Sequence, residues 1–461
     1  MQVPSWWAVG IVSILLAHII YVAAWFRGDP TGRGLIIGPL VVAALVPFIL
    51  RLRRTEVRFD LAGIVLAALG LKLCLVYARL FMVDHIYGSV GDSFDYDHHG
   101  REFAPYFRAL QFDVDPGRPV PGTGFLRILT GGVYAVFGAD RFTGFIVFGV
   151  MAFIGIWLFY QAFVMAVPEG DHRRYALLVF FWPSLAFWPA ATGKEAWMVF
   201  SLGLASNGAA RVFSQRRAGY TVLALGITAA AMPRPHIAIV VLAAVAVGLA
   251  TSTLFGAGTG GRSTAPAAKV VGLVFIAAAS VVLAPQVATF LQIDDVGTGG
   301  LDAALSATQE RTAGGGSSFA AVAIESPLDY PWGFASVLYR PFPHEVRSAA
   351  SAISAFEGLL LLALTVASLR RMRRLPSRIV RNPYLAYAAS FAFMFGYVFS
   401  FISNFGILAR QRVQLLPFLL VLMSLAAVNG RRAASGAPAR AATSCSDIHL
   451  VDSHNSSTSP S

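Results

Sequence analysis

The sequence predicts an all-α polytopic membrane protein with about twelve transmembrane helices. Of its 461 residues, 56% are hydrophobic and only 13% are charged, whereas about 25% are charged in soluble globular proteins. Apolar stretches long enough to cross a bilayer recur along almost the whole chain. Arginine clusters recur in alternate connections between these stretches, as the positive-inside rule requires of a membrane protein. Composition and charge placement therefore predict the same class.

Each predicted span is a stretch of roughly 17–25 mostly apolar residues. Two spans, on either side of Pro233–Pro235, are shorter than the others. The spans begin near Trp6, Gly34, Asp60, Phe142, Tyr175, Glu195, Tyr220, His236, Val270, Ala349, Pro383 and Leu408.

Arginine clusters predict the orientation. They follow the second, fourth, sixth, tenth and last spans, at residues 51–54, 173–174, 211–217, 370–374 and 431–432. With alternating spans, all five clusters fall on one side, which is therefore the cytoplasmic side. Both termini are then expected in the cytoplasm.

The connections divide the chain into five predicted segments, two of them with a large extracytoplasmic loop. A short amphipathic surface helix is expected after the first loop, over residues 124–137. The segments are a two-helix membrane segment at 1–58, a membrane core at 59–290 with an acidic loop at 84–119, a second loop at 291–347, C-terminal membrane helices at 348–429, and a disordered cytoplasmic tail at 430–461.

The first loop contains an unusual acidic run over residues 91–100. It holds Asp92, Asp95, Asp97 and two adjacent histidines, interleaved with Phe94 and Tyr96. A carboxylate in a partly dry site can serve as a general base. Asp92, Asp95 and Asp97 are therefore the candidate bases, and Tyr96 and His98 are further candidates. The alternatives are a solvated turn or a divalent metal site for Mg²⁺ or Mn²⁺ with Asp92, Asp95, Asp97 and His98 as ligands.

The later extracytoplasmic connections carry isolated cations where the positive-inside rule predicts few. Such cations at the mouths of apolar spans are costly unless they face water or bind an anion, and a phosphate group fits this requirement. The candidate phosphate-binding residues are Lys194, Arg234, Arg340, Arg410 and Arg412, and their neighbours Glu195, His236, His344 and Glu345 are further candidates.

Three features make the chain resemble the GT-C superfamily of bacterial membrane glycosyltransferases. They are Asp92-Ser93 with Tyr96 in a first large outer loop, the surface helix after that loop, and the many spans. The segment from Pro183-Ser184 to Gly193-Lys194-Glu195 is also similar to a pattern in polyprenyl-phosphate-sugar transferases. The resemblance implies a polyprenyl-phosphate-linked sugar donor, an inverting displacement and an outer-loop Asp as base. Here the acidic loop follows the third span instead of the first, and the usual Asp-Glu pair is absent.

The sequence thus predicts sugar transfer to a cell-envelope glycan, lipid or protein acceptor at a bacterial plasma membrane. The net charge of +12 resides largely in short-loop arginines, so it does not indicate nucleic-acid binding. One alternative is an O-antigen-type polysaccharide polymerase or ligase, which would depend on Arg340 and Arg412 in the late part of the chain. Another is a flippase or transporter of a lipid-linked substrate, for which internal repeats are expected.

Overall fold

A computed structural model describes residues 5–56, 58–88, 91–254 and 326–426, with isolated positions between 272 and 324. These residues are helical apart from turns and a single antiparallel bridge between Ser318 and Asn404. The helices are α1 (Trp6–Phe26), α2 (Gly34–Thr55), α3 (Leu61–Phe81), α4 (Asp92–Arg108), α5 (Thr123–Phe137), α6 (Arg141–Ala166), α7 (His172–Phe181), α8 (Pro183–Phe187), α9 (Lys194–Phe213), α10 (Gly219–Ala231), α11 (Pro235–Leu254), α12 (Tyr330–Tyr339), α13 (Ala349–Met372), α14 (Leu375–Arg381), α15 (Pro383–Phe399), α16 (Phe405–Gln411) and α17 (Leu416–Met423).

The chain is a multi-pass membrane protein, but the prediction of twelve spans is wrong. In the described part, six helices are long and apolar enough to cross a membrane, and a seventh span is possible if α16 and α17, bent by 59°, form one crossing. The six are Trp6–Phe26, Gly34–Arg54, Leu61–Ile86, Arg141–Ala166, Pro235–Leu254 and Ala349–Met372.

The other predicted spans correspond to shorter or more polar helices. The one expected near Tyr175 is divided into α7 and α8 at Pro183, because proline cannot continue the hydrogen-bonding pattern of a helix. Those expected near Tyr220 and Pro383 have only 13 and 17 residues. Helix α9 has 20 residues but carries Lys194, Glu195 and Arg211. The span predicted near Val270 lies outside the described residues.

Burial separates central helices from peripheral ones. In α3 and α6, 72% of the apolar window is buried inside the protein, against 22% in α1, 17% in α2 and 28% in α13. Apolar side chains on these three helices, such as Leu15, Ile36 and Ile353, are exposed. In a membrane protein such surfaces face lipid, so α3 and α6 form the protein interior.

Close packing of α6, α9 and α10 fixes the direction of the chain. A Cβ on Gly155 of α6 would collide with the Val199 carbonyl of α9, so the two backbones meet directly, as small residues permit. Gly144 lies by Thr192 and Gly155 by Gly203, so α6 and α9 run parallel. Helix α10 returns antiparallel, since the Trp197 indole donates to the Ala229 carbonyl at 2.6 Å. The starts of α6 and α9 and the end of α10 therefore lie at one end of the bundle.

The opposite end collects arginine-rich connections. Arg371 contacts Asp171 at 3.0 Å, and the Asn382 amide donates to the Ala166 carbonyl, the last residue of α6, at 2.8 Å. The 26 residues of α6 span roughly 39 Å at 1.5 Å per residue. The two ends of the bundle are thus separated by a distance comparable to a bilayer.

The predicted cytoplasmic tail and the predicted second extracytoplasmic loop lie wholly or partly outside the described residues. The tail at 430–461 lies outside the described residues, as does about half of the second loop at 291–347. Within that loop, α12 and a 3-10 turn at Pro343–Glu345 are described. The helix predicted at 124–137 is confirmed as α5, Thr123–Phe137.

Candidate functional site

Four separate parts of the chain bring charged side chains together at the end of the bundle where α9 begins. The segment from the last turn of α3 to the start of α4 contributes Arg79 and Asp92, the start of α9 contributes Lys194 and Glu195, the turn before α11 contributes Arg234, and α16 contributes Arg410. We call this set, including Tyr96 beside Asp92, the charge cluster. The charges of these residues act on one another.

Glu195 and Arg234 form the centre of the charge cluster. Arg234 Nη2 lies 3.7 Å from Glu195 Oε1, and the two side chains are only 8% and 17% exposed. Arg234 Nη1 also donates to the Gln411 amide oxygen, which ties the turn before α11 to α16. Gln411 in turn accepts from Gln414 Nε2 at 2.6 Å. Arg234 is therefore held in place by groups from two distant parts of the chain.

Lys194 connects this centre to α5. Its Nζ donates to Thr123 Oγ1 at 2.9 Å. The Gly122 amide donates to the Met232 carbonyl at 2.7 Å, so the turn carrying Arg234 is fixed to the same point. The positions of Lys194 and Arg234 are thus set jointly by the beginning of α5.

Arg79 is a member of the charge cluster that the sequence analysis missed. Its guanidinium lies over the rings of Phe187 and Trp188, at 5.1 and 4.9 Å from their centres, a cation–π arrangement. Its Nε is buried and has no hydrogen-bond partner. A usable signal was present, because Arg79 is a cation at the end of an apolar span that leads into the acidic run.

The acidic run is helical, which corrects its prediction as part of a loop. Asp92 begins α4, and Gly91 before it has φ 138°, a conformation that favours glycine. Asp92 and Asp95 occupy the first turn, where carboxylates are stabilised by the helix dipole. The residues that resemble a polar loop in sequence are therefore the N-terminal turns of an amphipathic helix.

Two of the three candidate aspartates bind α5. Asp95 accepts two hydrogen bonds from Arg127, at 2.9 and 2.5 Å. Asp97 accepts from Tyr134 Oη at 2.6 Å and from Arg101 Nε at 2.9 Å. These contacts hold α4 against α5, so both carboxylates stabilise the packing of these two helices and are not free to bind a ligand.

Asp92 differs from both. Its side chain is exposed, and no hydrogen bond or ion pair joins it to the part of the chain that the structure describes. It nevertheless lies close enough to Lys194 and Arg234 for their charges to interact. Tyr96, one turn along α4, is fully buried, and its hydroxyl has no hydrogen-bond partner among the described residues. Asp92 is the one of the three whose carboxylate is available to a ligand.

The charges of the cluster do not balance. Burial, followed by the nearby charge of Arg234, lowers the pKa of Lys194 below its ordinary value. Burial also lowers the pKa of Arg234, although Glu195 opposes this effect. For Glu195, burial acts to raise the pKa, but the positive charges of Arg410 and Arg234 outweigh it and the pKa lies below its ordinary value. Four cations surround two carboxylates, so an added anion would stabilise the arrangement.

Arg410 has no partner of its own within the described residues. Its guanidinium is partly exposed and makes no hydrogen bond or ion pair there, yet its charge acts on Lys194, Glu195 and Arg234. His236 lies beside Arg234 and Lys194 at the start of α11. Both residues belong to the predicted site and lie at the charge cluster.

Other predicted site residues make separate contacts. Arg340 pairs with Glu345 at 3.0 Å and lies 4.7 Å from the centre of the Phe319 ring. His344 is exposed and stacks on Phe342. The described contacts therefore assign Arg340, Glu345 and His344 to a second, self-contained group.

Arg412 is directed into the protein interior. It is 1% exposed and donates to the Leu338 carbonyl, and the nearest opposite charge is Glu357 of α13. Glu357 accepts from the Ser184 amide at 3.0 Å. Helix α16 ends at Gln411, between Arg410 and Arg412. The two cations, which were predicted to act together, therefore lie in different surroundings.

The candidate metal ligands are not brought together. Among the described residues, no group of three or more His, Cys, Asp or Glu side chains could hold a metal ion. Successive residues of a helix are about 100° apart, so Asp97, five positions after Asp92, points away from it. Asp95 and Asp97 are already bound by Arg127, Tyr134 and Arg101. His98 is exposed and packs against His99. The alternative of a Mg²⁺ or Mn²⁺ site at these four residues therefore has no support among the described residues.

No known family model matches this chain, and comparison with curated proteins and with solved structures found no similar protein. The geometry of the charge cluster therefore has to be interpreted from its own chemistry. An uncommitted carboxylate lies beside an excess of fixed cations at one end of a membrane-spanning bundle. Such a set can hold an anionic group and accept a proton beside it.

Proposed function

We propose that this protein is a membrane glycosyltransferase of the GT-C type. It transfers a sugar from a polyprenyl-phosphate-linked donor to an envelope glycan, lipid or protein acceptor at the extracytoplasmic face of a bacterial plasma membrane. The observation that supports the proposal most is the pairing of one uncommitted carboxylate, Asp92, with a surplus of cations from three other parts of the chain.

In the proposed reaction, Asp92 takes the proton of an acceptor hydroxyl. The hydroxyl oxygen then bonds to the anomeric carbon of the donor sugar, and the bond from that carbon to the phosphate oxygen breaks. The electron pair of the broken bond remains on the lipid phosphate, whose negative charge grows as it departs. Attack from the opposite face inverts the anomeric carbon, and no other reactant is required.

The reaction also requires stabilisation of the negative charge on the departing phosphate, and the cations of the charge cluster can provide it. Arg79, Arg234 and Arg410 can bind the phosphate oxygens, and the planar guanidinium suits two-pronged contact with a phosphate. Arg234 is already positioned by Glu195 and Gln411, so little reorganisation is needed when charge develops. Glu195 thus holds the guanidinium in place, and its own negative charge is outweighed.

The fold supports the assignment of Asp92 over its rivals. Asp95 and Asp97 each accept two hydrogen bonds from neighbouring side chains, so their oxygens are already occupied by contacts within the protein. Asp92 has no such bonds in the described part of the chain. Of the three aspartates, it is also the one whose charge acts on both Lys194 and Arg234.

The decisive experiment replaces Asp92 with its neutral isostere. Purified full-length protein is assayed in lipid nanodiscs with a panel of polyprenyl-phosphate sugars carrying a radiolabelled sugar, with envelope extract as acceptor. We expect Asp92→Asn to reduce transfer by at least about 100-fold, the usual effect of removing a general base. Asp113→Asn is the matched control, because Asp113 is an exposed acid of the same segment.

The outcomes separate this proposal from the two alternatives. Wild-type-like transfer by Asp92→Asn would refute the proposed role of Asp92. Loss of activity in Arg340→Gln, with tolerance at Asp92, would favour a polymerase or ligase that depends on the late part of the chain. Movement of labelled donor across a liposome membrane without acceptor, unaffected by Asp92→Asn, would favour a transporter.

A further inference from the structure

A second polar pocket lies away from the charge cluster. Its volume is about 740 Å³, within the range of small-molecule sites. Three arginines on or beside α14 contribute to its lining, together with Glu169 and apolar residues that include Leu385 and Leu425. The three are Arg374, Arg378 and Arg381. The lining is therefore basic on one side and apolar on another.

The pocket is at the opposite end of the bundle from the charge cluster. Asn382, which lines it, donates to the carbonyl of Ala166 at the end of α6. The other end of α6 begins at Arg141, which pairs with Asp84 at 2.8 Å, shortly before α4. One length of α6, roughly 39 Å, therefore separates the pocket from the level at which the acidic helix begins. The pocket lies among the arginine clusters that predict the cytoplasmic side.

The cations of the pocket are largely uncommitted. Arg378 Nη2 donates a long hydrogen bond of 3.4 Å to the Ala426 carbonyl. Arg374 and Arg381 are exposed, and neither forms a hydrogen bond through its side chain or an ion pair within the described residues. Spacings of four and three residues place successive arginines on one side of a helical turn. Glu169 is the one acid in the lining, so positive charge exceeds negative charge by two.

We propose that this pocket binds a phosphate-bearing anion, and that its source is the headgroup of an anionic phospholipid in the adjacent leaflet. Guanidinium groups bind phosphate oxygens through charge-assisted hydrogen bonds. Leu385, Leu425 and Val167 close the inner side of the pocket and are at most 5% exposed, so the arginines supply the contacts with the headgroup. Basic pockets at the cytoplasmic ends of membrane helices bind anionic headgroups in this way. The site is independent of the proposed sugar transfer.

Binding is tested on full-length protein in micelles of a zwitterionic detergent. Phosphatidylglycerol is titrated in, and its effect is followed by the thermal unfolding midpoint and by native mass spectrometry. We expect saturable stabilisation by the wild type. The double variant Arg374→Gln/Arg381→Gln should bind at least about tenfold more weakly, since two charge-assisted hydrogen-bonding groups are lost. A parallel titration with inorganic phosphate distinguishes a free anion from a lipid headgroup as the source.

The matched control is Arg216→Gln/Arg217→Gln, which removes the same charge from two exposed arginines outside the pocket. Equal weakening in both double variants would overturn the proposal, because it would show a general charge effect. Loss of binding in Arg410→Gln would also overturn it, by locating the lipid at the charge cluster. If the pocket double variant fails to fold, the single variant Arg381→Gln, exposed and without an internal contact, gives the same comparison.

Discussion

Two groups of cations in this protein have different surroundings, although Arg410 of the first group is only two residues from Arg412 of the second. In the charge cluster, Arg79, Arg234, Lys194 and Arg410 share the two carboxylates of Asp92 and Glu195. In the second group, Arg340 has Glu345 at 3.0 Å, and Arg412 has the Leu338 carbonyl with Glu357 nearby. The first group has surplus positive charge, whereas each cation of the second has its own acceptor.

The difference indicates which cations stabilise the fold and which are available to bind a ligand. A buried charge that has an acceptor within the protein contributes to packing and is costly to disturb. A charge that lacks partners is retained at a cost in stability, which an anionic ligand would offset. Arg410 and Arg412, two residues apart, fall on opposite sides of this division.

The largest expected effect is on activity at Arg410. Removal of its charge in Arg410→Gln should lower the rate of sugar transfer by about 100- to 1000-fold, the range measured when a group that stabilises developing negative charge is removed. The thermal unfolding midpoint should not fall, because Arg410 makes no hydrogen bond or ion pair within the described residues. A large fall in the unfolding midpoint with normal transfer would show that Arg410 stabilises the fold and does not act on a ligand.

The next effect is on stability at Arg412. Arg412→Met should lower the free energy of unfolding by about 2–4 kcal/mol, because Glu357 would keep its buried charge without the nearby cation. This loss of stability is measured by thermal unfolding in detergent micelles. The double variant Arg412→Met/Glu357→Leu should recover part of the loss. No recovery would show that the charge of Glu357 is not the cause.

A smaller effect is expected at the Arg340–Glu345 pair, whose side chains are each 14% exposed. Arg340→Gln should cost about 1–3 kcal/mol of stability, because the mostly buried Glu345 loses its cation, and should leave transfer within about twofold of wild type. The transfer assay and the unfolding midpoint are measured on the same preparation. A loss of transfer comparable to that of Arg410→Gln would bring Arg340 into the functional group.

The smallest effect concerns pH and Glu195. The pKa of Glu195 lies below its ordinary value of 4.5, so its ionised form stabilises the fold above that pH. This contribution is lost as the pH falls through the lowered pKa. Glu195→Gln should therefore be less stable than wild type at pH 7, and the difference should shrink below about pH 4.5. A difference independent of pH between 7 and 3 would contradict the charge interaction with Arg234 and Arg410.

Several elements could be predicted from the sequence because they depend on local composition. The six confirmed spans are long apolar runs, and α5 follows from the amphipathic pattern of residues 124–137. The number of spans could not be predicted in this way. Apolar residues also fill the shorter helices α7, α10 and α15, and hydropathy alone does not distinguish a helix that crosses lipid from one that packs inside a bundle.

The candidate residues of the site could be predicted from the sequence, but which of them come together, and which are left without partners, could not. Asp92, Lys194, Arg234 and Arg410 were identified as candidates because charges at the ends of apolar spans are costly. Their convergence required α6 and α9 to run parallel and α10 to return antiparallel to them. The separation of Asp92 from Asp95 and Asp97 required the contacts with Arg127 and Tyr134, which lie more than thirty residues away in sequence. Arg79 was missed because the aromatic rings beneath it come from a different part of the chain.

Hydrophobic content and arginine placement, as properties of the linear chain, determined that this is a multi-pass membrane protein whose charges collect between apolar runs. Which of those charges are neutralised was decided only in three dimensions. An ion pair or hydrogen bond acts over a few ångströms, and the groups that meet at that distance are set by helix packing. The uncommitted state of Asp92 and Arg410, on which the proposed activity depends, is therefore a property of the tertiary structure.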